Sequence, residues 1–452
     1  MTAPTGPEIT LINGLILTHP GLKDAVPHGR STICGGRLAE VNVPVESALF
    51  AGQVIDCANC LIMPGLINCH NHAAMSLLRG VADDLPLERW LNGYIFPSES
   101  KHTDPDFVHL GTMLSCLEMV LGGVTTFADG YFFMENAARA AIEVGLRAVV
   151  AQGILDLPTP DARAAGSWKE RVADFLSACP QDPLISPALF CHSPYLCGPD
   201  TFQEAARLAD DHDALLFSHV CETHREVEDI RARYGRTPVE HLENLGVLGP
   251  SFVAVHVIHV SDEEMDLLAD SGTKVIHCPE SNMKLASGVS PVRELIKRGV
   301  TVGIGTDGPA SNNNLDLFEE MRSASLMAKL VTKDPEALNS RTVLRMACLD
   351  AAKALGMEDR IGSLEPGKCA DVIVIDLDRP HLTPMYDVAS HLIYAARASD
   401  VRDVLVNGKV VVRGGRATSV DEDRIKAAGR AKGGQIARGL GVTNFGAVFK
   451  DV

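Results

Sequence analysis

Short apolar runs separated by polar and turn-forming residues set the rhythm of this chain, and the rhythm changes along it. Near the amino terminus, Ile9 to Leu17 and Leu38 to Val43 are β-rich runs divided by turn signals that include Pro20-Gly21 and Gly35-Gly36, the pattern of small-sheet strands. The same style returns near the other end in Ala370 to Leu377 and in Val401 to Val412, where Asn407-Gly408 sits between two β-branched runs as a hairpin turn. The two ends are therefore expected to share one sheet. Between them, short apolar strands alternate with helical segments: Arg147 to Ile154, Leu184 to Phe190, Leu215 to His219, Val253 to His256, Lys274 to His277 and Val300 to Gly303.

Repeated βα units imply a parallel sheet. An open doubly wound sheet would carry a Gly-rich phosphate loop early in the chain. Here, instead, polar residues stand at the carboxyl ends of many separate strands, as in a closed barrel. The expected architecture is α/β: a (β/α)8 TIM-type barrel over residues 61–365 with a small β-sandwich-like domain built from both chain ends, residues 1–60 with 366–452. A polar helical tail, Asp421 to Leu440, lies within the last segment. No fixed-period repeat of the solenoid kind is present.

Composition narrows the picture. With 452 residues and 46% hydrophobic content the chain can bury a large core and exceeds one ordinary domain. A formal charge of −17 argues against nucleic acid as a partner, because such surfaces gather Lys and Arg on one face. Met1 to Pro7 lacks the basic start and apolar run of a signal peptide, and no apolar segment approaches the ~20 residues that span a bilayer. A cytoplasmic protein without membrane contact is expected. The twelve cysteines are scattered through apolar segments and read as buried thiols; Cys57 and Cys60 form a C-x-x-C with no second pair at zinc-ribbon distance.

The candidate chemistry sits at strand ends. Pro64 to His72 is an apolar strand ending in His70-Asn71-His72, and the two-residue period points both imidazoles to one side, a geometry suited to two metal ligands. Leu216 to His219 is another such strand, its histidine offering a third ligand, and it is followed by Glu222, a carboxylate placed as an acid/base. Val253 to His256 repeats the design, and Val302 to Gly308 ends a glycine-flanked strand on Asp307. Any one histidine is ordinarily a satisfied core or loop residue. Jointly, catalytic-type residues at the ends of several strands are what a shared barrel active site requires.

With these residues in place, the chain resembles the amidohydrolase superfamily, and within it the methylthioadenosine/S-adenosylhomocysteine deaminase group, which borders the chloro-s-triazine hydrolases. The likeness covers nearly the whole chain. Its most specific pieces are Pro64 to His72, His192 to Tyr195, Ser218 to Thr223, Val255 to Val260, His277-Cys278-Pro279, Ser281 to Leu285, Gly305 to Gly308 and Ser311 to Asn313. The resemblance implies one divalent metal held by His70, His72, His219 and Asp307, with Glu222 and His256 beside the reacting water. Zn²⁺ suits such nitrogen and oxygen donors, and Fe²⁺ or Mn²⁺ would also accept them. Two-metal members carry a lysine on the fourth strand, and Pro183 to His192 contains none. The implied chemistry is hydrolytic: Asp307 accepts the water proton, Glu222 protonates the ring nitrogen next to the attacked carbon, and ammonia leaves. By family habit the chain is a homo-oligomer, a dimer or tetramer.

The resemblance also implies a purine-nucleoside pocket, so the expected activity is deamination of 5'-methylthioadenosine, adenosine or S-adenosylhomocysteine. His192 would donate to the ring and Glu99 would accept both ribose hydroxyls, a task a carboxylate suits; by its own sequence Glu99 is equally an ordinary surface glutamate. Trp90 covers the ring or belongs to the core. At Gln152, where many of these deaminases carry an arginine, a cation that could bind an amino-acid carboxylate is missing, and Arg163 is the candidate to replace it. That departure weakens S-adenosylhomocysteine as a substrate more than the other two. Rival readings are hydrolysis of an s-triazine or deamination of guanine at the same metal site, which Glu99 argues against because a triazine has no diol. From another class comes an inactive barrel serving as scaffold, against which stands the full set of ligands with Glu222.

Overall fold

The computed structural model describes residues 8–45, 52–164 and 166–440; Met1 to Pro7 lies outside them. Eight parallel strands follow one another in sequence order around a central sheet: β1 Leu66–Asn68, β2 Val124–Tyr131, β3 Arg147–Ile154, β4 Ile185–Cys191, β5 Leu216–Val220, β6 Phe252–His256, β7 Lys274–His277 and β8 Val302–Ile304. The sheet closes on itself, because the Cys69 amide donates to the Ile304 carbonyl at 2.9 Å and the Asp307 amide to the His70 carbonyl at 3.0 Å. Gly305 makes this closure possible: a Cβ there would stand 2.8 Å from the His70 nitrogen. Ile67, Val149, Phe190, Phe217, Val253 and Ile276 fill the interior, the layered packing that makes such a barrel solid rather than a pore.

The strand limits follow local chemistry. The apolar run at 300–303 enters the sheet only at Val302, because the Val300 amide is spent on the Leu295 carbonyl at 3.1 Å, closing the helix Val292–Lys297 after Gly299. The expected single strand Ile9 to Leu17 is two strands, Ile9–Ile12 and Leu15–Ile16. Asn13 and Gly14 between them adopt left-handed φ values of 65° and 81°, the turn conformation that Asn and Gly take most easily. The two pieces then join different sheets.

Beside the barrel, a four-stranded sheet built from residues 9–56 faces a seven-stranded one. In the latter, Cys60–Pro64 pairs antiparallel with Val372–Asp376, which pairs with Val401–Val406, and that strand in turn pairs with Lys409–Arg413 across the hairpin. Both chain ends thus share one sheet, as the patterning implies, and Ile9, Leu11, Ile33, Ile62, Val372 and Leu405 are buried in one cluster between the layers. All twelve cysteines are free, and burial pushes the Cys57 thiol up to about 12, the mark of an inert structural thiol. No helix among the described residues is long and apolar enough to cross a membrane.

A buried ion pair pins the barrel to this flank. Arg147, at the entry of β3 and 1% exposed, meets Asp371 through Nε–Oδ2 at 2.9 Å and Nη2–Oδ1 at 3.1 Å. Asp371 also accepts the Asn407 amide of the hairpin turn at 2.7 Å. Removing one member of such a pair strands a charge away from water at a cost of about 3–5 kcal/mol. Arg147→Met should therefore lower the urea midpoint sharply, while Arg147→Met/Asp371→Asn recovers part of the loss. A double variant no more stable than the single one would refute this account.

Candidate active site

The residues singled out at strand ends converge at the carboxyl face of the barrel. One donor atom each from His70, His219, His256 and Asp307 lies within 4.8 Å of the others, and all four side chains are buried. His70 Nε2 and His72 Nε2 each stand 3.3 Å from Asp307 Oδ1, and His219 Nε2 is 3.3 Å from His70 Nε2. Sequence reasoning brings His72 rather than His256 into the ligand set; the mutual-distance group contains His256, while His72 touches the same carboxylate oxygen from the cavity side. Backbone strain sharpens the convergence. Cys221, His256 and Asp307 have φ of 55°, 74° and 61°, left-handed conformations that are sparsely populated for such residues and cluster at functional sites.

The donor chemistry fits a divalent cation. Burial holds the His70 imidazole down to about 4 and that of His219 well below its ordinary value, so both are neutral. Burial alone would raise Asp307, but the hydrogen bond from His70 and the neighbouring imidazoles outweigh it and hold the carboxyl well below the usual range. Neutral nitrogens facing an ionised carboxylate across such distances are ready-made ligands. Outer partners fix their orientation. His72 Nδ1–H donates to the Gly130 carbonyl at 2.5 Å and His256 Nδ1–H to Asn282 Oδ1 at 2.9 Å. Asp307 Oδ2 accepts the hydroxyls of Ser281 at 2.6 Å and Ser311 at 2.8 Å, while its Oδ1 accepts the Gly308 amide at 2.7 Å. Such outer contacts set the tautomer and aim of a ligand.

Glu222 lies just past β5, buried, with Oε2 3.8 Å from His256 Nε2. Burial raises its pKa above the ordinary value, and His256 partly opposes that. Its backbone is held by Glu226, whose two carboxylate oxygens accept the amides of Cys221 at 2.9 Å and Glu222 at 2.8 Å. Sequence reasoning missed Glu226. The signal was the Thr223-x-x-Glu226 capping pattern: Thr223 Oγ1 does accept the Glu226 amide at 3.2 Å, but the Glu226 carboxylate reaches back past the cap to the turn that carries Glu222.

Above the cluster opens a cavity of about 450 Å³ whose lining includes His72, Trp90, Glu99, His192, Glu222 and Asp307. Trp90 is 6% exposed and Glu99 7%, so Glu99 is a buried cavity residue and not a surface glutamate. Its Oε1 accepts the Tyr131 hydroxyl at 2.7 Å, a partner at the end of β2 that sequence reasoning also missed. Burial raises Glu99 to about 7, with Tyr131 acting in the opposite direction, and burial lowers His192 to about 3. Arg163 reaches the cavity lining from an exposed position. Gln152 does not reach the cavity: it is fully buried behind β3, donating to Asp161 at 2.9 Å and accepting from Arg171 at 3.2 Å.

A closed barrel with three or four imidazoles and one aspartate converging at its carboxyl face is the architecture of a metal-dependent hydrolase, and the model of the amidohydrolase family matches residues 61–411. The chain belongs to the amidohydrolase family. It is 45% identical over 421 residues to a 5-methylthioadenosine/S-adenosylhomocysteine deaminase of Syntrophobacter fumaroxidans, covering 92% of this chain and 96% of the relative. It is 42% identical to a 5'-deoxyadenosine deaminase of Methanothermobacter thermautotrophicus, over 93% of this chain and 98% of that one. Among solved structures, an adenosine deaminase from Xanthomonas campestris with bound zinc superposes with a TM-score of 0.92 at 38% identity, covering 96% of this chain and 100% of that one. The chain is a hydrolytic deaminase of this family.

The raised Glu99 carboxyl sets a pH signature. An ordinary glutamate ionises near 4.5 and the folded one near 7, so folding loses stability as pH rises through that interval and is unaffected below it. Glu99→Gln, which keeps an acceptor for Tyr131, should therefore be more stable than the parent above pH 7, the gain vanishing below about pH 4.5. Melting temperatures of the two proteins at both ends of the range check this, and an identical difference at every pH would contradict it.

Proposed function

We propose that this amidohydrolase removes the 6-amino group of adenosine-type nucleosides, namely 5'-methylthioadenosine, adenosine and S-adenosylhomocysteine, giving the oxo product and ammonia. The observation that supports this reading most is one cavity holding a buried Glu222, its pKa raised by burial, beside the donor cluster and a second buried carboxylate, Glu99, in the same lining. Glu99 is suited to the ribose diol, Tyr131 holding Oε1 and leaving Oε2 for the substrate's hydroxyls. Trp90 offers the ring apolar surface, and neutral His192 offers it a hydrogen bond. The names of the relatives point to the same substrates.

We assign His70, His72, His219 and Asp307 as ligands of a single divalent ion, Zn²⁺ in the first place with Fe²⁺ or Mn²⁺ acceptable; β4, residues 185–191, supplies no lysine for a second. Such an ion lowers the pKa of water from 15.7 to roughly 7 and so supplies a nucleophile at neutral pH. Asp307, ionised, takes the proton that the attacking water releases. Its Oδ2 stays clamped by Ser281 and Ser311, so the carboxylate cannot swing away. Glu222 gives its proton to the ring nitrogen next to the attacked carbon, removing the charge that addition places there. Two carboxyls driven apart in pKa are the usual basis for dividing acid from base. His256, aimed by Asn282, orients the water and stays beside Glu222 for the proton's return to the leaving amine.

The flanking sheets, residues 1–60 with 366–452, are proposed to form a separate small unit that braces the barrel, 61–365. A cytoplasmic location and a homo-oligomer, a dimer or tetramer, belong to the same reading. The exposed Leu326, Leu330 and Val331 of one outer helix, at 51%, 79% and 56%, supply apolar surface for subunit contact.

Two measurements test the assignment. Zinc-loaded protein should release ammonia from the adenosine derivatives and not from guanine or an amino-s-triazine, and Glu222→Gln should lose at least ~10²-fold in kcat; full activity in that variant would sink the proton transfer. Metal content after dialysis separates the two imidazoles in dispute. His72→Ala should lose the metal, whereas His256→Ala should keep it and lose turnover, and the reverse result would exchange their roles.

A further inference from the structure

One side of the cavity mouth is the irregular loop 157–163, which contributes Leu157, Pro158, Thr159, Pro160 and Arg163 to the lining. Its outer residues are open to solvent, Leu157 being 52% exposed, while its inner anchor is a single carboxylate, Asp161, whose side chain is 0% exposed. Asp161 Oδ1 accepts the Thr159 hydroxyl at 2.9 Å, and Thr159 Oγ1 in turn accepts the Ala162 amide at 3.0 Å. Asp161 Oδ2 accepts the Phe133 amide, Gln152 Nε2 and Arg171 Nε, each at 2.9 Å. Arg171, on the helix Trp168–Ala178, also donates to Gln152 Oε1 at 3.2 Å and pairs with Glu135 of the helix Met134–Val144. Its side chain is only 10% exposed.

Elements from three places along the barrel wall thus meet at one loop carboxylate. This saturated arrangement holds a fixed geometry, since the Asp161 carboxylate is fully buried and would be stranded by movement away from Arg171. The loop it fixes lies at the mouth, while the donor cluster lies at the floor. With the reacting ring at the floor, as the nucleoside reading requires, the part of a substrate that reaches the loop is the group carried at the ribose 5' position. Among the described residues Arg163 has no ion-pair or hydrogen-bond partner, so the loop presents a free cation there. Gln152 belongs to the anchor and not to the lining, which explains why a neutral side chain serves at that position: the cation of this locus comes from Arg171 and is spent inward.

We propose that Arg171 and Asp161 are positioning residues that set the cavity mouth and thereby the preference among 5' substituents, a conclusion that rests on the nucleoside reading above. The test compares Arg171→Met, Arg171→Lys and Thr159→Val with the parent, zinc-loaded, on adenosine and on S-adenosylhomocysteine. Arg171→Met should raise KM for S-adenosylhomocysteine at least ~10-fold with kcat within ~2-fold, and adenosine KM within ~3-fold. Arg171→Lys, which keeps the charge without the fork, should fall between it and the parent. Trypsin cleavage after Arg163 should quicken in Arg171→Met at temperatures well below that variant's own unfolding transition, and Thr159→Val, which removes one hydroxyl, should show the same effects more weakly if Arg171→Met does not fold. Equal KM rises for both substrates, or parent-like cleavage in the variants, would overturn the proposal. A parent inactive on every adenosine derivative would sink the substrate reading, while the cleavage rates would still decide whether Arg171 and Asp161 hold the loop.

Discussion

Three imidazoles and one carboxylate are held, buried, with their donor atoms within 4.8 Å of one another, and this enforced convergence is the constraint around which the molecule is organised. Left in water these groups would separate and solvate. Here His70 and Asp307 cannot separate, because β1 and β8 are joined by backbone hydrogen bonds at this level and Gly305 removes the Cβ that would force them apart. His219 and His256 arrive on the neighbouring strands β5 and β6, whose register places Val220 beside His256. The barrel therefore supplies what the donors cannot supply themselves, a fixed distance. The outer partners supply the remaining freedom, rotation: Gly130, Asn282, Ser281 and Ser311 each remove a torsional choice from one donor.

A second level of order runs from the floor of the cavity to its mouth. Groups near the floor are fixed by strands, whose ends are displaced only if the sheet is. Groups at the mouth sit on loops, which are cheap to vary but need anchoring. Glu222 occupies the intermediate case, on a turn beyond β5 whose two amides are captured by Glu226. The loop 157–163 is the outer case, anchored by a buried ion pair from the helix layer. Precision thus falls off with distance from the chemistry, and each step outward is compensated by a buried charge rather than by more secondary structure.

Much of this was legible from residue order. The alternation of strands and helices, the hairpin at Asn407-Gly408 and the shared sheet of the two ends follow from periodicity, and His70, His72, His219, His256 and Asp307 stood out because each closes an apolar run. What was not legible depended on partners far along the chain. Tyr131 is an ordinary aromatic strand end until Glu99 is placed beside it, and Ser281 and Ser311 carry no sign that both face one carboxylate. Gln152 is different, since its orientation was readable. On β3, Val149 and Ala151 pack in the barrel interior and Ala148 and Val150 in the outer layer, so the two-residue period sends Gln152 outward with the latter. Placing it in the substrate pocket by family likeness overrode that parity. The split of Ile9 to Leu17 is a similar case, because Asn13-Gly14 is itself a turn signal within an apolar run.

The proposed acid and base of this site illustrate how one environment can push two carboxyls in opposite directions. Glu222 and Asp307 are both buried, and burial raises both. What separates them is company. Asp307 is surrounded by donors, with His70, Ser281, Ser311 and the Gly308 amide all pointing at its oxygens. Glu222 faces only the more distant His256 across 3.8 Å, while its surrounding hydrogen bonds are made by its backbone and not by its carboxyl. Capturing the Glu222 backbone through Glu226 fixes the residue without stabilising its charge, and burial leaves its pKa raised. A direct hydrogen bond to the carboxylate would have fixed it equally well but lowered that pKa.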